Sequence, residues 1–521
     1  LGLRLVVTDH HQQGEKLPRA EAVVDPHRHD CFSPFKYMCG AGIALKLIAA
    51  LDGGDCTMAL EQFGDLAAIA TVADIVSLTG ENRFLASYGI QLIENTDRPS
   101  LMALKEVCGL TDKPINSQSL GFGIAPRINA AGRFGSPKTA ARLFLCEDYD
   151  DALVIAQELD GLNNMRKQAE NDIIAEIYSM IDNDPSLVYG RVIFLCGKDW
   201  HHGVIGIVAS RIMEQFGKPC FIASDSGGEI RGSARSFGEF SIFEALSYAQ
   251  EVLEKFGGHP GAGGFTVKSG MSADLGRLLE EYALKDHKVM PQATLAADAP
   301  ATPAELTVDN VRGLSLLEPF GAENEKPLFY IGEAELLEVL PLSDGLHSKL
   351  RLKAGFAKID ALMFRTAPTA LPVKVGDRCD MIVTLGVNSY RGRDSVSVVV
   401  SDIRPHTFEQ SKYFAALGSF EAFMRGEELP KNYYPSMYPS REEAVKVYKA
   451  IPENGINLDR LYISLTDKSI NYCKFRFAIE AFRELGLVKM NASDFGVSRV
   501  KVSAKTDLYS APVLEKLRSR L

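Results

Sequence analysis

An aspartate and two histidines stand side by side near the start of the chain, as Asp9, His10 and His11. Neutral imidazole is a good ligand for manganese or zinc, and a neighbouring carboxylate can fix which ring nitrogen carries the proton. A second acid, Asp74, ends the apolar run at residues 68–73. In isolation the triplet is more typical of a solvated loop, and Asp74 of a helix cap, so a metal site needs support from the rest of the chain.

Two later motifs carry groups suited to a phosphodiester. PRINAAGR places Arg127, Asn129 and Arg133 among small residues that allow a backbone to come close, and an arginine can hold a phosphate through two parallel hydrogen bonds. DWHHGVIG contains His201 directly before a predicted helix, whose free amide groups could face an anion. Ordinary turns explain either motif about as well when it is taken alone.

A hydroxyl, a guanidinium and an imidazole follow in two glycine-containing motifs. GSAR contributes Ser233 and Arg235, two residues apart on a predicted strand, so their side chains should point to the same side. GGHPGAGGF contributes His259 within a glycine-dense loop of the kind that can wrap a phosphate with backbone amides. Each motif is weak evidence by itself, and their order along one chain is more specific.

The elements that would position the first of these groups alternate between strands and helices. Residues 5–8 and 22–24 are predicted as short buried strands, and residues 41–51 and 63–73 as helices. In an open α/β sheet, ligands bind beyond the carboxyl ends of the strands. Asp9 follows the first predicted strand at that end.

A second α/β region is predicted after a long helix. Residues 149–181 contain almost no glycine or proline and repeat apolar residues at helical spacing, which predicts one connecting helix. Another helix is predicted at residues 204–216. The strands predicted around it are residues 191–196, 220–223 and 229–234.

The remainder divides into an all-β region and a smaller mixed region. Residues 328–403 alternate β-branched residues between turns, which fits a five-stranded barrel. Residues 474–485 are predicted as an amphipathic helix, followed by a hairpin at residues 487–490 and 498–502. Residues 441–521 hold fifteen Lys and Arg against ten Asp and Glu, a local excess of five positive charges.

The composition is that of a multidomain globular protein of 521 residues. Its net charge of -10 argues against indiscriminate binding to nucleic acid, so any DNA site should be a local patch. The nine cysteines form no CxxC pair, which argues against a zinc ribbon or a disulfide framework and favours a reducing cytoplasm. No apolar run approaches the roughly 18 residues that a membrane helix needs, so no membrane partner is expected.

The motifs TDHH, TVAD, PRINAAGR, WHHGVIGIVASRI, GSARS and GGHPGAGGF, in this order, resemble the RecJ family of the DHH phosphoesterase superfamily. The resemblance covers nearly the whole chain and implies an α/β multidomain fold. The implied parts are an incomplete DHH domain at residues 1–148, a connecting helix at 149–183, a DHH-associated α/β domain at 184–290, an all-β oligonucleotide-binding (OB) barrel domain at 291–408 that includes the motif LEPFGAEN, and a small α+β accessory domain at 409–521 that resembles a winged helix.

The resemblance also implies a function: hydrolysis of single-stranded DNA from its 5′ end by two manganese ions, with magnesium as an alternative, in DNA repair and recombination. His10 would be a manganese ligand and Asp74 a ligand that bridges the two ions. His11 would contact the scissile phosphate, and Asp9 would orient a histidine. The residues implied to bind DNA or phosphate are Arg127, Asn129, Arg133, His201, Ser233, Arg235 and His259. The expected protein partner is a helicase or a single-strand-binding protein.

The family's other metal-binding carboxylates belong to two motifs upstream of the DHH triplet. Neither motif is in this sequence, which begins with Leu rather than Met and has its first strand under way by residue 3, so we expect a fragment that is inactive as given. One alternative is a DHH enzyme that hydrolyses oligoribonucleotides or cyclic dinucleotides, against which the barrel and the tail argue. The other is a non-catalytic DNA-binding scaffold, against which His10, His11 and Asp74 argue.

Overall fold

The computed structural model describes residues 3–14, 16–287, 289–465, 467, 469–502 and 506–521. The chain divides into two compact units, Leu1–Ala169 with Val311–Lys326 and Glu170–Asn310 with Pro327–Leu521. None of the described helices combines the length and the apolar composition that crossing a bilayer requires.

The first unit contains a short, two-stranded parallel sheet and a group of helices. Strand β1 (Val6–Thr8) pairs in parallel with β2 (Ala22–Val24), so two strands form where they were predicted. The prediction that they are buried is wrong, because a sheet of two strands leaves most of their residues exposed. A π-helical turn at Ser119–Ile124 runs directly into helix α5. The α-helices between residues 40 and 144 are α1 (Gly40–Leu51), α2 (Thr57–Ala73), α3 (Gly80–Glu94), α4 (Pro99–Val107), α5 (Ala125–Phe134) and α6 (Pro137–Phe144).

Helices α2 and α3 pack unusually close to each other because Gly64 of α2 faces Gly89 of α3. A Cβ atom built at Gly89 of α3 would lie 2.3 Å from the Cβ of Ala68 and 2.4 Å from the carbonyl oxygen of Gly64, both in α2. No other residue type fits without separating the two helices. This contact matters for the site because Asp74 follows directly after the last residue of α2.

Replacing Gly89 with alanine should therefore destabilise the first unit. Overpacking a rigid contact against backbone costs about 3 kcal/mol, which lowers the melting temperature of a unit of this size by about 6 to 12 °C. Gly161→Ala is the matched control, because a Cβ atom there meets no heavy atom within 4 Å and the residue lies in a helix. Differential scanning calorimetry of the two variants checks the prediction, which is wrong if both melt alike.

One helix, α7 (Tyr149–Asn183), extends over 35 residues and confirms the long helix predicted from residues 149–181. Its N-terminal part belongs to the first unit and its C-terminal part to the second. Buried apolar residues of its first turns, such as Ala152 and Leu159, join the core of the first unit.

The second unit begins with a mixed five-stranded sheet. Its strand order is β3-β4-β5-β7-β6, with only the β3–β4 pair parallel. The strands are β3 (Ile193–Lys198), β4 (Cys220–Ser226), β5 (Glu229–Arg235), β6 (Leu253–His259) and β7 (Ala262–Val267). The helices are α8 (His202–Phe216), α9 (Ile242–Tyr248) and α10 (Ser272–Asp286). Phe221, Phe240 and Phe265 lie in the core that this sheet forms with α9 and α10.

A closed barrel follows, as the β-rich region predicted. Strand β9 pairs with both β10 and β12, and β11 pairs in parallel with β13, which closes the five strands. The elements are β8 (Ala299–Pro300), α11 (Val308–Gly313), β9 (Phe329–Leu342), β10 (His347–Ala354), β11 (Ala357–Met363), β12 (Arg378–Tyr390) and β13 (Arg393–Pro405).

The segment Val311–Lys326, which we expected within the barrel domain, packs in the first unit. The Ser77 hydroxyl donates to the Glu323 carboxylate over 2.7 Å, and the Leu78 N–H donates to the Ala322 carbonyl over 2.8 Å. The hydroxyl of Ser117 donates to the Phe320 carbonyl. This segment therefore supports the loop that follows Asp74.

The C-terminal region is a small α+β domain. Its elements are α12 (Gln410–Met424), α13 (Tyr434–Met437), α14 (Arg441–Ala450), β14 (Ile456–Asn457), α15 (Leu458–Ser464), α16 (Tyr472–Glu484), β15 (Val488–Asn491), β16 (Gly496–Arg499) and α17 (Pro512–Arg518). From α14 to β16, the order of helices and strands and the sheet order β14-β16-β15 resemble a winged helix.

This domain does not present its helix and hairpin as a DNA-reading winged helix does. No residue of α16 is exposed, because neighbouring helices and β15 cover it on all sides. The turn between β15 and β16 is also occupied: the Ala492 N–H donates to Asp182, and the ring of Phe495 packs 5.4 Å from that of Phe216. Through these two contacts the domain instead packs against the C-terminal ends of α7 and α8.

Candidate functional site

Asp9 organises the turn that follows β1. Its backbone N–H donates to the Val24 carbonyl of β2 over 2.9 Å, which fixes the turn to the sheet. Its Oδ1 accepts hydrogen bonds from the backbone N–H of His10 at 2.7 Å and from Nδ1 of His11 at 2.7 Å. The hydrogen bond from the His11 ring, followed by that from His10, lowers the pKa of the Asp9 carboxyl below its usual value. Asp9 is thus held as a carboxylate beside His11.

His10 and Asp74 come together although 63 positions separate them in the sequence. Asp74 lies at the C-terminal end of α2, and its Oδ2 is 3.3 Å from Nδ1 of His10. The His10 ring also lies against the first residue of α1, since a Cβ atom at Gly40 would be 3.8 Å from its Cδ2. Directly after Asp74 the backbone of Ile75 adopts a φ of 55°, which turns the chain away from the helix axis.

The donor atoms of this turn fit a divalent cation. Ligand atoms of Asp9, His10 and His11 all lie within 4.8 Å of one another. Imidazole nitrogen together with carboxylate oxygen suits manganese and does not exclude magnesium. Asp74 adds a second carboxylate beside His10.

A cavity of about 450 Å³ adjoins this turn within the first unit. Its polar lining is provided by His10, Asp74 and Asn129, and its other walls are apolar. The structure thus brings three of the predicted site residues to one cavity. The sequence analysis did not single out Cys39 and Gly40, which also line it. Their signal is the run of small residues CGAG at the start of α1, which leaves room beside the His10 ring.

Arg127 lies apart from that group. Its Nε donates to Asp160 of α7 over 2.8 Å, and its two terminal nitrogens donate to the carbonyls of Gly123 and Val107. Only 13% of its side chain is exposed. These contacts favour a structural role in joining α5 to α7, and a contact to DNA stays a prediction for Arg127.

Arg133 stands in the last turn of α5, close to another arginine. Partial burial, together with the positive charge of Arg166, lowers the pKa of its guanidinium. The position is compatible with the predicted phosphate contact of Arg133, which remains a prediction.

In the second unit, Ser233 and Arg235 lie on the same face of β5, as their spacing predicted. The Nη1 group of Arg235 donates to the Ser233 hydroxyl over 3.0 Å and to the Ala234 carbonyl over 2.8 Å. Both side chains rest against α8, because a Cβ atom at Gly206 would lie 2.9 Å from Arg235 Nη2 and 3.0 Å from Ser233 Oγ. Gly206 is therefore required for this arrangement. It was not among the predicted site residues, although it belongs to the HHGVIG motif.

His201 and His259, the two predicted histidines of this unit, lie at the ends of elements near Ser233 and Arg235. His201 is the residue before α8, and its Nδ1 accepts a hydrogen bond from the Gly203 N–H, so the other ring nitrogen carries the proton in the neutral form. His259 ends β6 and lies in register with Ala262 of β7, which in turn pairs with Arg235. Residues in one row of an antiparallel sheet point to the same face, so His259 and Arg235 share a face.

The comparisons with known proteins agree with this architecture. The DHHA1 domain family matches residues 184–284, and the RecJ OB domain family matches residues 297–402. The single-stranded-DNA-specific exonuclease RecJ of Escherichia coli is 31% identical over 432 residues, which cover 78% of this chain and 74% of that protein. The chain belongs to the RecJ family.

Other RecJ proteins show the same relationship with different coverage. The Bacillus subtilis exonuclease RecJ is 30% identical over 456 residues, which cover 86% of this chain but 55% of that protein. The chain therefore spans a little over half the length of this relative. The crystal structure of Thermus thermophilus RecJ in complex with Mn²⁺ matches with a TM-score of 0.65 at 31% identity, covering 77% of this chain and 58% of that one. A structure of the same protein with Mg²⁺ matches with a TM-score of 0.61.

Proposed function

We propose that this RecJ-family protein is an exonuclease that removes nucleotides from the 5′ end of single-stranded DNA with the help of bound manganese. The observation that carries the proposal is the meeting of His10, Asp74 and Asn129 at one cavity in a chain of this family. The family's named activity and the manganese and magnesium complexes of the Thermus relative support it.

His10 and Asp74 would hold the metal, with Asp9 close by. When bound, a pair of divalent cations supplies an activated water and neutralises the charge of the phosphodiester during in-line attack. Asp9 accepts a hydrogen bond from Nδ1 of His11, so the imidazolium form of His11 would donate from its other ring nitrogen to a phosphate oxygen. His11 would thereby orient the scissile phosphate, and Asp9 would keep the His11 ring in place.

The 5′ end of the strand would be held at β5. A guanidinium beside a hydroxyl, both packed against α8 at Gly206, is a good match for a terminal phosphate. Arg235 and Ser233 would bind it, with His201 and His259 nearby. Asn129, Arg133 and, with less structural support, Arg127 would contact the backbone in the first unit.

In this proposal the protein is cytoplasmic and acts in DNA repair and recombination. All nine cysteines are free thiols, which suits a reducing compartment. A helicase or a single-strand-binding protein would supply or present the strand, since a single-strand-specific nuclease needs a substrate that has been unwound.

Removing and restoring the metal tests the proposed chemistry. We expect the protein expressed from its complete gene to degrade single-stranded DNA with Mn²⁺, to lose at least about a thousandfold in rate with excess EDTA, and to recover when Mn²⁺ is added back. The blunt-ended duplex of the same sequence is the control substrate and should stay intact. Degradation that continues in EDTA would contradict a metal-dependent reaction.

A further inference from the structure

Asp74 stands at a position where its own helix does not hold a carboxylate. It follows the last residue of α2, where the unpaired carbonyl groups of the helix repel negative charge. The last turn before it has the sequence ATVA, without a basic side chain. The Asp74 side chain is 45% exposed, yet a carboxylate that holds a metal must be placed to within about 0.5 Å. The contacts that fix the chain just beyond Asp74 therefore matter for the proposed metal site.

The segment Leu317–Asn324, with the sequence LEPFGAEN, makes the first of these contacts and is called the LEPFGAEN segment below. The Leu78 N–H donates to the Ala322 carbonyl over 2.8 Å. The Leu78 side chain packs on the backbone at Gly321, where a Cβ atom would lie 2.5 Å from Leu78 Cδ1. Leu78 is buried, so the loop after Asp74 is pinned to this segment at Leu78.

A short chain of hydrogen bonds makes the second contact. The Ser77 hydroxyl donates to the Glu323 carboxylate over 2.7 Å. Because this bond uses the one hydroxyl proton of Ser77, the Thr79 hydroxyl 2.8 Å away donates to Ser77 in turn. The side-chain amide of Asn82 in α3 donates to the Ser77 carbonyl over 2.9 Å. Ser77 is only 6% exposed, so leaving its hydroxyl without Glu323 would be costly.

The same segment also holds the chain that leads to Asn129. The hydroxyl of Ser117, a buried residue, donates to the Phe320 carbonyl over 2.5 Å. The π-helical turn Ser119–Ile124 begins two residues later and runs directly into α5, which carries Asn129. Asn129 and Asp74 line one cavity. The LEPFGAEN segment therefore fixes the approach to two polar groups of that cavity.

Internal hydrogen bonds keep the LEPFGAEN segment in one conformation. The side-chain amide of Asn324 donates to the carbonyls of Leu317 and Pro319, each over 2.9 Å. The backbones of Gly321 and Asn324 exchange two hydrogen bonds, at 3.0 and 3.1 Å. Arg83 of α3 donates to the Leu316 carbonyl just before the segment. A segment that is held internally and at its start can impose its position on the loop after Asp74.

We propose that the LEPFGAEN segment is a positioning element of the metal site, in which Glu323 acts through Ser77 to keep the Asp74 carboxylate in place for manganese. Glu323 is a positioning residue, because its carboxylate accepts from Ser77, 246 positions earlier in the chain. The inference rests on the proposed function for the metal. It adds a determinant of metal affinity outside the motifs that carry the metal ligands.

Manganese binding without DNA tests this proposal independently of cleavage. The protein from the complete gene is titrated with Mn²⁺, and the free ion is measured from its electron paramagnetic resonance signal. Glu323→Ala should bind Mn²⁺ about tenfold more weakly, the scale of loss seen when groups that support metal ligands are removed. Glu323→Gln keeps an oxygen that accepts from Ser77, so its affinity should stay within about twofold of the original.

Two further variants identify the contact that acts. Ser77→Ala removes the other partner and should weaken Mn²⁺ binding to a similar degree. The double variant Ser77→Ala/Glu323→Ala should bind no more weakly than the weaker single variant, because both changes remove one interaction. Glu325→Ala is the matched control: it removes the same charge from an exposed side chain two residues later and should leave the affinity unchanged.

Two results would overturn the proposal. One is a Glu323→Ala variant that binds Mn²⁺ as tightly as the original protein, whether or not its melting temperature in EDTA has fallen. The other is a Glu323→Gln variant that loses as much affinity as Glu323→Ala, since the charge of Glu323 and not its hydrogen bond would then act. Failure of the proposed function would look different, because the unaltered protein would bind no Mn²⁺ or would cleave DNA without it.

Discussion

His10→Ala is expected to abolish manganese-dependent cleavage of single-stranded DNA while leaving most of the affinity for DNA. Nδ1 of His10 lies 3.3 Å from Oδ2 of Asp74, and His10 lines the cavity beside the turn at Asp9. Losing a metal ligand removes several kcal/mol of charge stabilisation in the transition state, and about 4 kcal/mol corresponds to about a thousandfold in rate. Rates with saturating Mn²⁺ and binding in EDTA, both with the protein from the complete gene, provide the measurement.

His29→Ala is the matched control for that variant. His29 is exposed on the same part of the chain and is not among the grouped metal donors. Its rate should stay within about twofold of the original. If His10→Ala kept more than about a tenth of the original rate, His10 would not be a metal ligand for the reaction.

Arg235→Ala is expected to weaken the use of 5′-phosphorylated strands more than that of 5′-hydroxyl strands. The guanidinium of Arg235 is fixed by Ser233 and rests against α8 at Gly206. Losing one charge-assisted contact costs about 1.5 to 3 kcal/mol, which is roughly a tenfold to hundredfold effect on the phosphorylated strand. Lysine should not restore it, because an ammonium group cannot reproduce two parallel hydrogen bonds.

Arg231→Ala controls for the loss of positive charge from the same strand. Arg231 lies on the same face of β5, four residues earlier, and is paired with Glu229. The Arg231→Ala variant should leave unchanged the preference for 5′-phosphorylated over 5′-hydroxyl DNA. Equal slowing of both substrates by Arg235→Ala would show that Ser233 and Arg235 do not form the pocket for the 5′ end.

The sequence predicted those features that depend on local pattern. Apolar periodicity located α7 within two residues of its C-terminal end, and the two-residue spacing of Ser233 and Arg235 placed both on one face of β5. The five barrel strands followed from alternation between turns. The candidate metal-binding turn was visible because Asp9, His10 and His11 are neighbours in the chain.

Features that depend on contacts between distant segments were not visible. The loop after Asp74 is held by a hydrogen bond from Ser77 to Glu323, which lies 246 positions later in the chain. Hydrophobic periodicity does not predict a contact between residues so far apart. Arg127 was grouped with Asn129 by sequence proximity, but helical geometry turns it toward Asp160 of α7 while Asn129 faces the cavity. The amphipathic pattern of α16 suggested an exposed polar side, whereas neighbouring helices bury it.

The direction of cleavage tests the central claim most directly. A single strand with a 5′ phosphate and a 3′ fluorophore is incubated with Mn²⁺ and the protein from the complete gene, and the labelled products are separated by length over time. Removal of nucleotides from the 5′ end predicts a ladder in which the longest labelled fragments appear first and shorten progressively. Immediate release of the 3′ label as a mononucleotide, or fragments cut at random within the strand, would contradict the assignment of this chain to a 5′-end exonuclease.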